Sequence, residues 1–140
     1  MRPEIYYTTN TMSSETILIA DDDSDYLFQQ AFYLARAGYK VLQAGSEKEA
    51  LALLEKGKPD LAIFDLMMEN EDSGFRLSYK LKKKYPDVPV ILATAVTAET
   101  GITFGMNSRE DQNWIKADLY LEKGMQPEKL LAEVKNLLQK

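Results

Sequence analysis

Aspartate residues stand at two places in this chain, each at or near the end of an apolar run of strand length. Asp65 interrupts the run at 61–68, and three consecutive aspartates at 21–23 follow the run at 16–20. A carboxylate beside a buried run is unfavourable unless it faces solvent, a metal or a cation. Polar residues begin soon after Asp65, which places it at the carboxyl end of its strand. Asp65 is therefore the candidate reactive residue.

The three neighbouring acids Asp21, Asp22 and Asp23 repel one another unless solvent or a cation screens them. One interpretation is capping of the following helix, for which Asp23 or Ser24 alone would be enough. The other is a magnesium site, because Mg²⁺ takes one or two carboxylates together with water and phosphate oxygens. These residues alone leave both interpretations open.

The chain has no cysteine and no histidine. Disulfides, thiol catalysis, imidazole general bases and Cys- or His-ligated metals are therefore excluded, and the chain cannot itself carry a phosphohistidine. Any chemistry must come from carboxylates, lysines, hydroxyl groups and a hard cation that prefers oxygen ligands.

The chain of 140 residues is of a size for one domain, which we assign to 15–140, with 1–14 as a flexible N-terminal tail. Its net charge of −5 argues against a nucleic-acid surface. No apolar run approaches the roughly 20 residues of a membrane span. We expect a cytoplasmic protein without a nucleic-acid or membrane partner.

Five apolar segments alternate with helical patterns, which predicts an α/β fold with a parallel sheet covered on both faces. The predicted strands are 16–20, 39–44, 61–68, 88–93 and 118–122. The predicted helices are 24–37, 46–57, 74–85, a short one within 96–117, and 127–138. Asp21 with Asp22, Asp65, Thr94 and Lys123 follow the carboxyl ends of four strands, the edge where ligands bind in such sheets.

These motifs together resemble the receiver domain of two-component response regulators, over residues 16–139. The resemblance rests on the segments 17–23, 59–68, 72–75, 89–95 and 120–123. It implies a flavodoxin-like (βα)5 doubly wound fold, with a five-stranded parallel sheet in the order 2-1-3-4-5. It also implies a phosphorelay signalling domain and not a classical enzyme.

The resemblance implies that Asp65 accepts a phosphoryl group from a sensor histidine kinase or a phosphotransfer protein. Mg²⁺ would be held by Asp21, Asp22 and Asp65, with the backbone carbonyl of Met67 as a further ligand. Because these acids crowd together, we expect the Asp65→Asn variant to melt at a higher temperature than the wild type without Mg²⁺.

The resemblance also assigns the groups that respond to phosphorylation. Thr94 would hydrogen-bond the phosphoryl group, Lys123 would pair with it, and Tyr120 would be the aromatic residue that changes rotamer. The surface of the fourth helix, fifth strand and fifth helix would then bind an unknown downstream protein. We expect a stand-alone regulator or phosphorelay shuttle that is monomeric or weakly dimeric.

The sequence departs from the family pattern in three places. Glu69 replaces a usual proline, with one extra residue before Gly74, and the segment from Thr94 to Lys123 is about seven residues longer than usual. Gly124 replaces a proline that usually follows a cis bond. Since a cis bond before another residue costs roughly 2.5–4 kcal/mol, we expect a trans Lys123–Gly124 bond and a displaced Lys123.

Three other functions were weighed against this interpretation. A degenerate, unphosphorylated receiver acting as an interaction module is the main alternative. A phosphatase of the haloacid dehalogenase type would require a second aspartate where this chain has Met67. A flavodoxin-like cofactor binder would require a phosphate-binding loop after the first strand, where acids would repel phosphate.

Overall fold

The computed structural model describes residues 15–95 and 117–139 of the chain. The described strands are β1 (Thr16–Ala20), β2 (Lys40–Ala44), β3 (Leu61–Asp65), β4 (Val90–Thr94) and β5 (Leu119–Glu122). The described helices are α1 (Ser24–Arg36), α2 (Glu47–Lys56), α3 (Ser73–Lys84) and α4 (Pro127–Leu138). The predicted tail at 1–14 and the short helix predicted within 96–117 lie outside these residues, except for Ala117.

The five strands form one parallel sheet in the order β2-β1-β3-β4-β5. The predicted fold class and the predicted strand order 2-1-3-4-5 are therefore confirmed. All five residues of β3, the central strand, are buried, as expected for a strand that is covered on both faces.

Alternate residues of each strand face opposite sides of the sheet, so two separate cores form. One core joins the sheet to α2 and α3, and its largest buried side chain is Phe64. The other joins the sheet to α1 and α4, through Leu34 and Val134 among others. None of the described helices is long and apolar enough to cross a membrane.

Side chains at the ends of the strands fix where the first two helices begin. The Asp23 carboxylate accepts hydrogen bonds from the backbone N–H groups of Asp25 and Tyr26, at 3.1 and 3.2 Å, and so caps α1. Ser46 caps α2 by accepting a bond from the N–H of Glu49. The capping interpretation is thus correct for Asp23 but leaves the other two acids of the triplet to be explained.

Backbone hydrogen bonds continue the sheet beyond the last residues of its strands. The N–H of Asp21 donates to the last carbonyl of β2 at 3.0 Å, and that of Leu66 donates to β4 at 2.8 Å. The N–H of Lys123 donates to the carbonyl of Thr94, also at 2.8 Å. These hydrogen bonds therefore fix the backbone positions of the residues at the carboxyl edge of the sheet.

Candidate functional site

Three aspartates meet at the carboxyl edge of the sheet. Asp21 and Asp22 follow β1, and Asp65 is the last residue of the neighbouring strand β3. One carboxylate oxygen from each lies within 4.8 Å of the others. Side chains from two strands thus form a cluster of oxygen ligands, as the strand ends predicted.

The three acids differ in their access to solvent. The side chains of Asp21 and Asp65 expose 2% and 8% of their surface, whereas Asp22 is exposed. The cluster therefore has two carboxylates inside the protein and one at its mouth. A cation could reach it from solvent and keep some of its water ligands, which is the arrangement that Mg²⁺ favours.

Lys123 brings a positive charge to this cluster from the end of β5. Its Nζ lies 2.9 Å from an Asp21 carboxylate oxygen and 3.6 Å from an Asp65 carboxylate oxygen. The ammonium also lies 4.5 Å from the ring centroid of Tyr26, on the first turn of α1. The described residues contain no cis peptide bond, so Lys123 reaches both acids with a trans bond before Gly124.

The surroundings of Asp65 favour its neutral form. The pKa of Asp65 is raised from 3.8 to about 7, by burial first, then by the charge of Asp21 and by a hydrogen bond with the Asp21 side chain. The charge of Lys123 and a hydrogen bond from the Met67 backbone N–H oppose this rise. A cation placed between the two carboxylates would relieve their repulsion and favour the ionised form.

The ammonium of Lys123 stays charged in this setting. Burial alone would lower the pKa of Lys123, but the hydrogen bond and charge of Asp21, together with Asp65, outweigh that effect and raise it. The site therefore holds one fixed cation among three carboxylates, which leaves it a net attraction for a second cation.

The first turn of α3 packs tightly against the backbone of Asp65 and Leu66. A Cβ on Gly74 would lie 2.6 Å from the carbonyl oxygen of Asp65 and 2.7 Å from the Cα of Leu66. The N–H of Gly74 also donates to the Leu66 carbonyl at 2.8 Å. This close approach requires glycine at position 74.

Comparison with known proteins assigns the chain to a family. The profile of the response regulator receiver domain matches residues 17–135. The chain belongs to the response regulator receiver family. Receiver domains are signalling domains and not classical enzymes, they bind Mg²⁺ at an acidic pocket, and they interact with histidine kinases or phosphotransfer proteins. The predicted family is confirmed.

Named relatives agree with this assignment. The phosphate regulon transcriptional regulatory protein PhoB of Pseudomonas aeruginosa is 33% identical over 131 residues, covering 92% of this chain and 54% of PhoB. The response regulator SaeR of Staphylococcus aureus is 32% identical over 122 residues, covering 87% of this chain and 50% of SaeR. The chain spans about half the length of these relatives.

A solved structure extends the similarity to the fold. The CheY-like response regulator receiver domain protein from Methanospirillum hungatei JF-1 matches with a TM-score of 0.75 and 29% sequence identity. The match covers 91% of this chain and 95% of that one.

The remaining predicted site residues differ in how far they are buried. Thr94 ends β4 and is half-buried, and its carbonyl accepts the Lys123 N–H. Met67 follows Asp65 by two residues and exposes 44% of its surface. Tyr120 lies within β5 and packs against the core shared with α2 and α3, where burial raises its pKa to about 12.

Two contacts of the receiver site were not predicted from the sequence. Tyr26 lies only four residues beyond Asp22 but is not among the site residues predicted from the sequence. Glu69 was noted only as a missing proline, yet its carboxylate accepts the backbone N–H of Glu47 at the start of α2, at 3.0 and 3.1 Å. A tyrosine among acids in a first helical turn is a sequence signal for the contact of Tyr26, whereas no sequence signal points to the contact of Glu69.

Proposed function

We propose that this receiver domain accepts a phosphoryl group on Asp65 from the phosphohistidine of a sensor histidine kinase or a phosphotransfer protein. Asp21, Asp22 and Asp65, with the backbone carbonyl of Met67, are proposed to hold Mg²⁺. The protein would act in the cytoplasm, and a downstream protein would recognise its phosphorylated form.

One observation supports this proposal above the others. A buried carboxylate whose pKa is raised to about 7 lies beside two further acids and 3.6 Å from a lysine ammonium. A purely structural acid in the same position would be expected to have a close counter-ion of its own. The unbalanced set of ligands is instead suited to a cation and an incoming anion.

The chemical step requires little activation of the nucleophile. An Asp65 oxygen would form a bond to phosphorus while the bond from phosphorus to the donor's imidazole nitrogen breaks. The imidazole leaves with that electron pair and takes up a proton from solvent. Charge builds on the three equatorial oxygens of the transferring group, so electrostatic stabilisation supplies most of the catalysis.

Several groups around Asp65 would each stabilise part of the charge on the phosphoryl oxygens. Bound Mg²⁺ would neutralise part of the charge on the phosphoryl oxygens. Lys123 would exchange its contact with Asp21 for one with the phosphoryl group, and the Thr94 hydroxyl would donate a hydrogen bond to it. A phosphoryl group adds about two negative charges, which is the signal proposed to draw Thr94 inward and let Tyr120 change rotamer.

By resemblance, the downstream surface is proposed to include β5 and α4, together with the helix predicted within 96–117, which lies outside the described residues. The protein is proposed, also by resemblance, to be a monomer or a weak homodimer. The relatives PhoB and SaeR are longer than the segment they share with this chain.

Intact-mass measurement after incubation with acetyl phosphate and Mg²⁺ tests the phosphorylation. We expect the wild type to gain one phosphoryl group, and we expect no gain in Asp65→Asn or when Mg²⁺ is chelated. Asp60→Asn is the matched control, because Asp60 lies at the opposite end of the same strand and accepts the Thr16 N–H at 2.7 Å. It should gain the group normally.

Two results would contradict the proposal. Absence of an adduct with both acetyl phosphate and a phosphohistidine donor would favour the unphosphorylated interaction module. An adduct that persists in Asp65→Asn would show that another carboxylate is the acceptor.

A further inference from the structure

Tyr26 supplies a contact to Lys123 that the proposed chemistry has not yet used. The Lys123 ammonium lies 4.5 Å from the centroid of the Tyr26 ring, within the range of about 6 Å for cation–π attraction. The ring is half-buried on the first turn of α1, beside the acids. The negative face of a tyrosine ring thus serves as an additional, uncharged partner for the site lysine.

The ring remains uncharged in this environment. Burial and then the charges of Asp21 and Asp65 raise the pKa of Tyr26 to about 12. The phenol is therefore neutral across the physiological range, and its ring attracts the ammonium without adding a fourth negative charge to the site.

Lys123 depends on such a contact because its own segment restrains it weakly. The backbone is fixed by the hydrogen bond to Thr94, but Gly124 follows at once through a trans bond and limits the chain very little. The side chain has four rotatable bonds and can swing out to solvent. In the described structure the ammonium contacts the carboxylates of Asp21 and Asp65, at 2.9 and 3.6 Å, and the Tyr26 ring is its uncharged partner.

The contact with Asp21 cannot hold Lys123 throughout the reaction. When Asp21 is engaged by a cation, its oxygens are less available to the ammonium. We propose that Tyr26 is a positioning residue, whose ring keeps the Lys123 ammonium within reach of the phosphoryl group on Asp65. This inference rests on the proposed phosphorylation of Asp65.

The rate of phosphorylation by acetyl phosphate with saturating Mg²⁺ tests this role. We expect Tyr26→Leu to react about fivefold to tenfold more slowly than the wild type, the range set by loss of a partly buried cation–π contact. Tyr26→Phe keeps the ring and should react nearly as fast as the wild type. Tyr33→Leu is the matched control, since it removes a tyrosine two turns further along α1 and should not alter the rate.

A double-mutant cycle shows whether Tyr26 acts through the lysine. In a Lys123→Ala background, Tyr26→Leu should cause no further loss of rate, because the group that the ring positions is absent. If the two losses multiply instead, Tyr26 acts independently of Lys123 and the inference is wrong.

A spectroscopic measurement separates this inference from the proposed function. In the unphosphorylated protein the ring face should shift the Lys123 ε-CH₂ proton resonances upfield, an effect retained in Tyr26→Phe and lost in Tyr26→Leu. If the wild type and Tyr26→Leu are phosphorylated at the same rate, the inference about Tyr26 is wrong but the proposed function stands. If the wild type gains no phosphoryl group, both the proposed function and the role of Tyr26 are wrong.

Discussion

Two acidic residues in this domain, Glu47 and Asp65, each expose 7% of the surface of the whole residue, but their carboxylates have opposite surroundings. Glu47 receives three hydrogen bonds from the Arg76 guanidinium, at 2.8, 2.9 and 3.1 Å. Asp65 has a lysine at 3.6 Å, and that lysine lies closer to Asp21. The two residues are thus equally buried, but Glu47 has a counter-ion of its own, whereas Asp65 shares its counter-ion with Asp21.

The difference separates a carboxylate with a full counter-ion from one that is proposed to react. The planar guanidinium of Arg76 matches both oxygens of Glu47 and joins α2 to α3, so nothing further needs to bind there. At Asp65 the negative charge exceeds the positive charge nearby, and the pKa is raised to about 7. Burial alone would not have distinguished the two acids. Replacing each acid by its amide should therefore have opposite effects.

The largest expected effect is stabilisation of the metal-free protein by Asp65→Asn. Above pH 7 the wild type must ionise Asp65 against burial and the neighbouring Asp21, whereas the amide carries no charge. We expect a gain in the free energy of unfolding on the order of a few kcal/mol at pH 8, reduced by solvent at the open side of the site. Thermal melting in the presence of a chelator measures it.

The pH dependence of this gain follows from the two ionisation states. Asp65 ionises near 3.8 when unfolded and near 7 in the folded protein, so between these values the folded protein holds a proton that the unfolded chain has lost. The free energy of unfolding of the wild type therefore falls as pH rises from about 4 to 7. Above that range the ionisation of Asp65 causes no further change in it. The advantage of Asp65→Asn should be small at pH 4 and full at pH 8. An advantage that is constant across this range would contradict the raised pKa.

Glu47→Gln should have the opposite sign. The amide NH₂ would face the Arg76 donors, and the remaining oxygen cannot accept all three hydrogen bonds. We expect the melting temperature to fall by several degrees at pH 7. An unchanged melting temperature would mean that the Glu47–Arg76 pair is not a structural contact in solution.

The sequence predicted the framework of both sites better than their contacts. Strand β1 and helix α4 were predicted to the residue, and β4 begins two residues later than predicted because Pro89 has no N–H to donate to a ladder. The meeting of Asp21, Asp22 and Asp65 followed from strand ends, which the apolar runs mark directly. Periodicity reports which face a residue occupies and not which partner it selects. Periodicity therefore could not predict three contacts: the ion pair of Lys123 with Asp21, the contact of Lys123 with the Tyr26 ring, and the pairing of Glu47 with Arg76.

Magnesium should stabilise one of the two sites and leave the other unaffected. A ligand at ten times its dissociation constant adds about 1.4 kcal/mol to the free energy of unfolding. We expect such a rise in the wild type, a much smaller one in Asp65→Asn, and a rise like that of the wild type in Glu47→Gln. Melting curves across a Mg²⁺ titration measure it. An undiminished rise in Asp65→Asn would place the cation elsewhere.

The smallest expected effect concerns Glu69, which connects the two regions. Its carboxylate accepts the Glu47 N–H at the start of α2, while its backbone belongs to the loop that follows Asp65. Glu69→Ala should lower the free energy of unfolding by about 1 kcal/mol or less, as for loss of a helix-capping acceptor, whereas Glu69→Gln keeps an acceptor oxygen and should lose less.

The same loop carries the Met67 carbonyl proposed as a cation ligand, so Glu69→Ala should also weaken Mg²⁺ binding slightly, as measured by the titration above. A loss of stability with unchanged Mg²⁺ affinity would show that Glu69 holds α2 alone, and that the loop keeps its position through the contact of Gly74 with the Asp65 backbone.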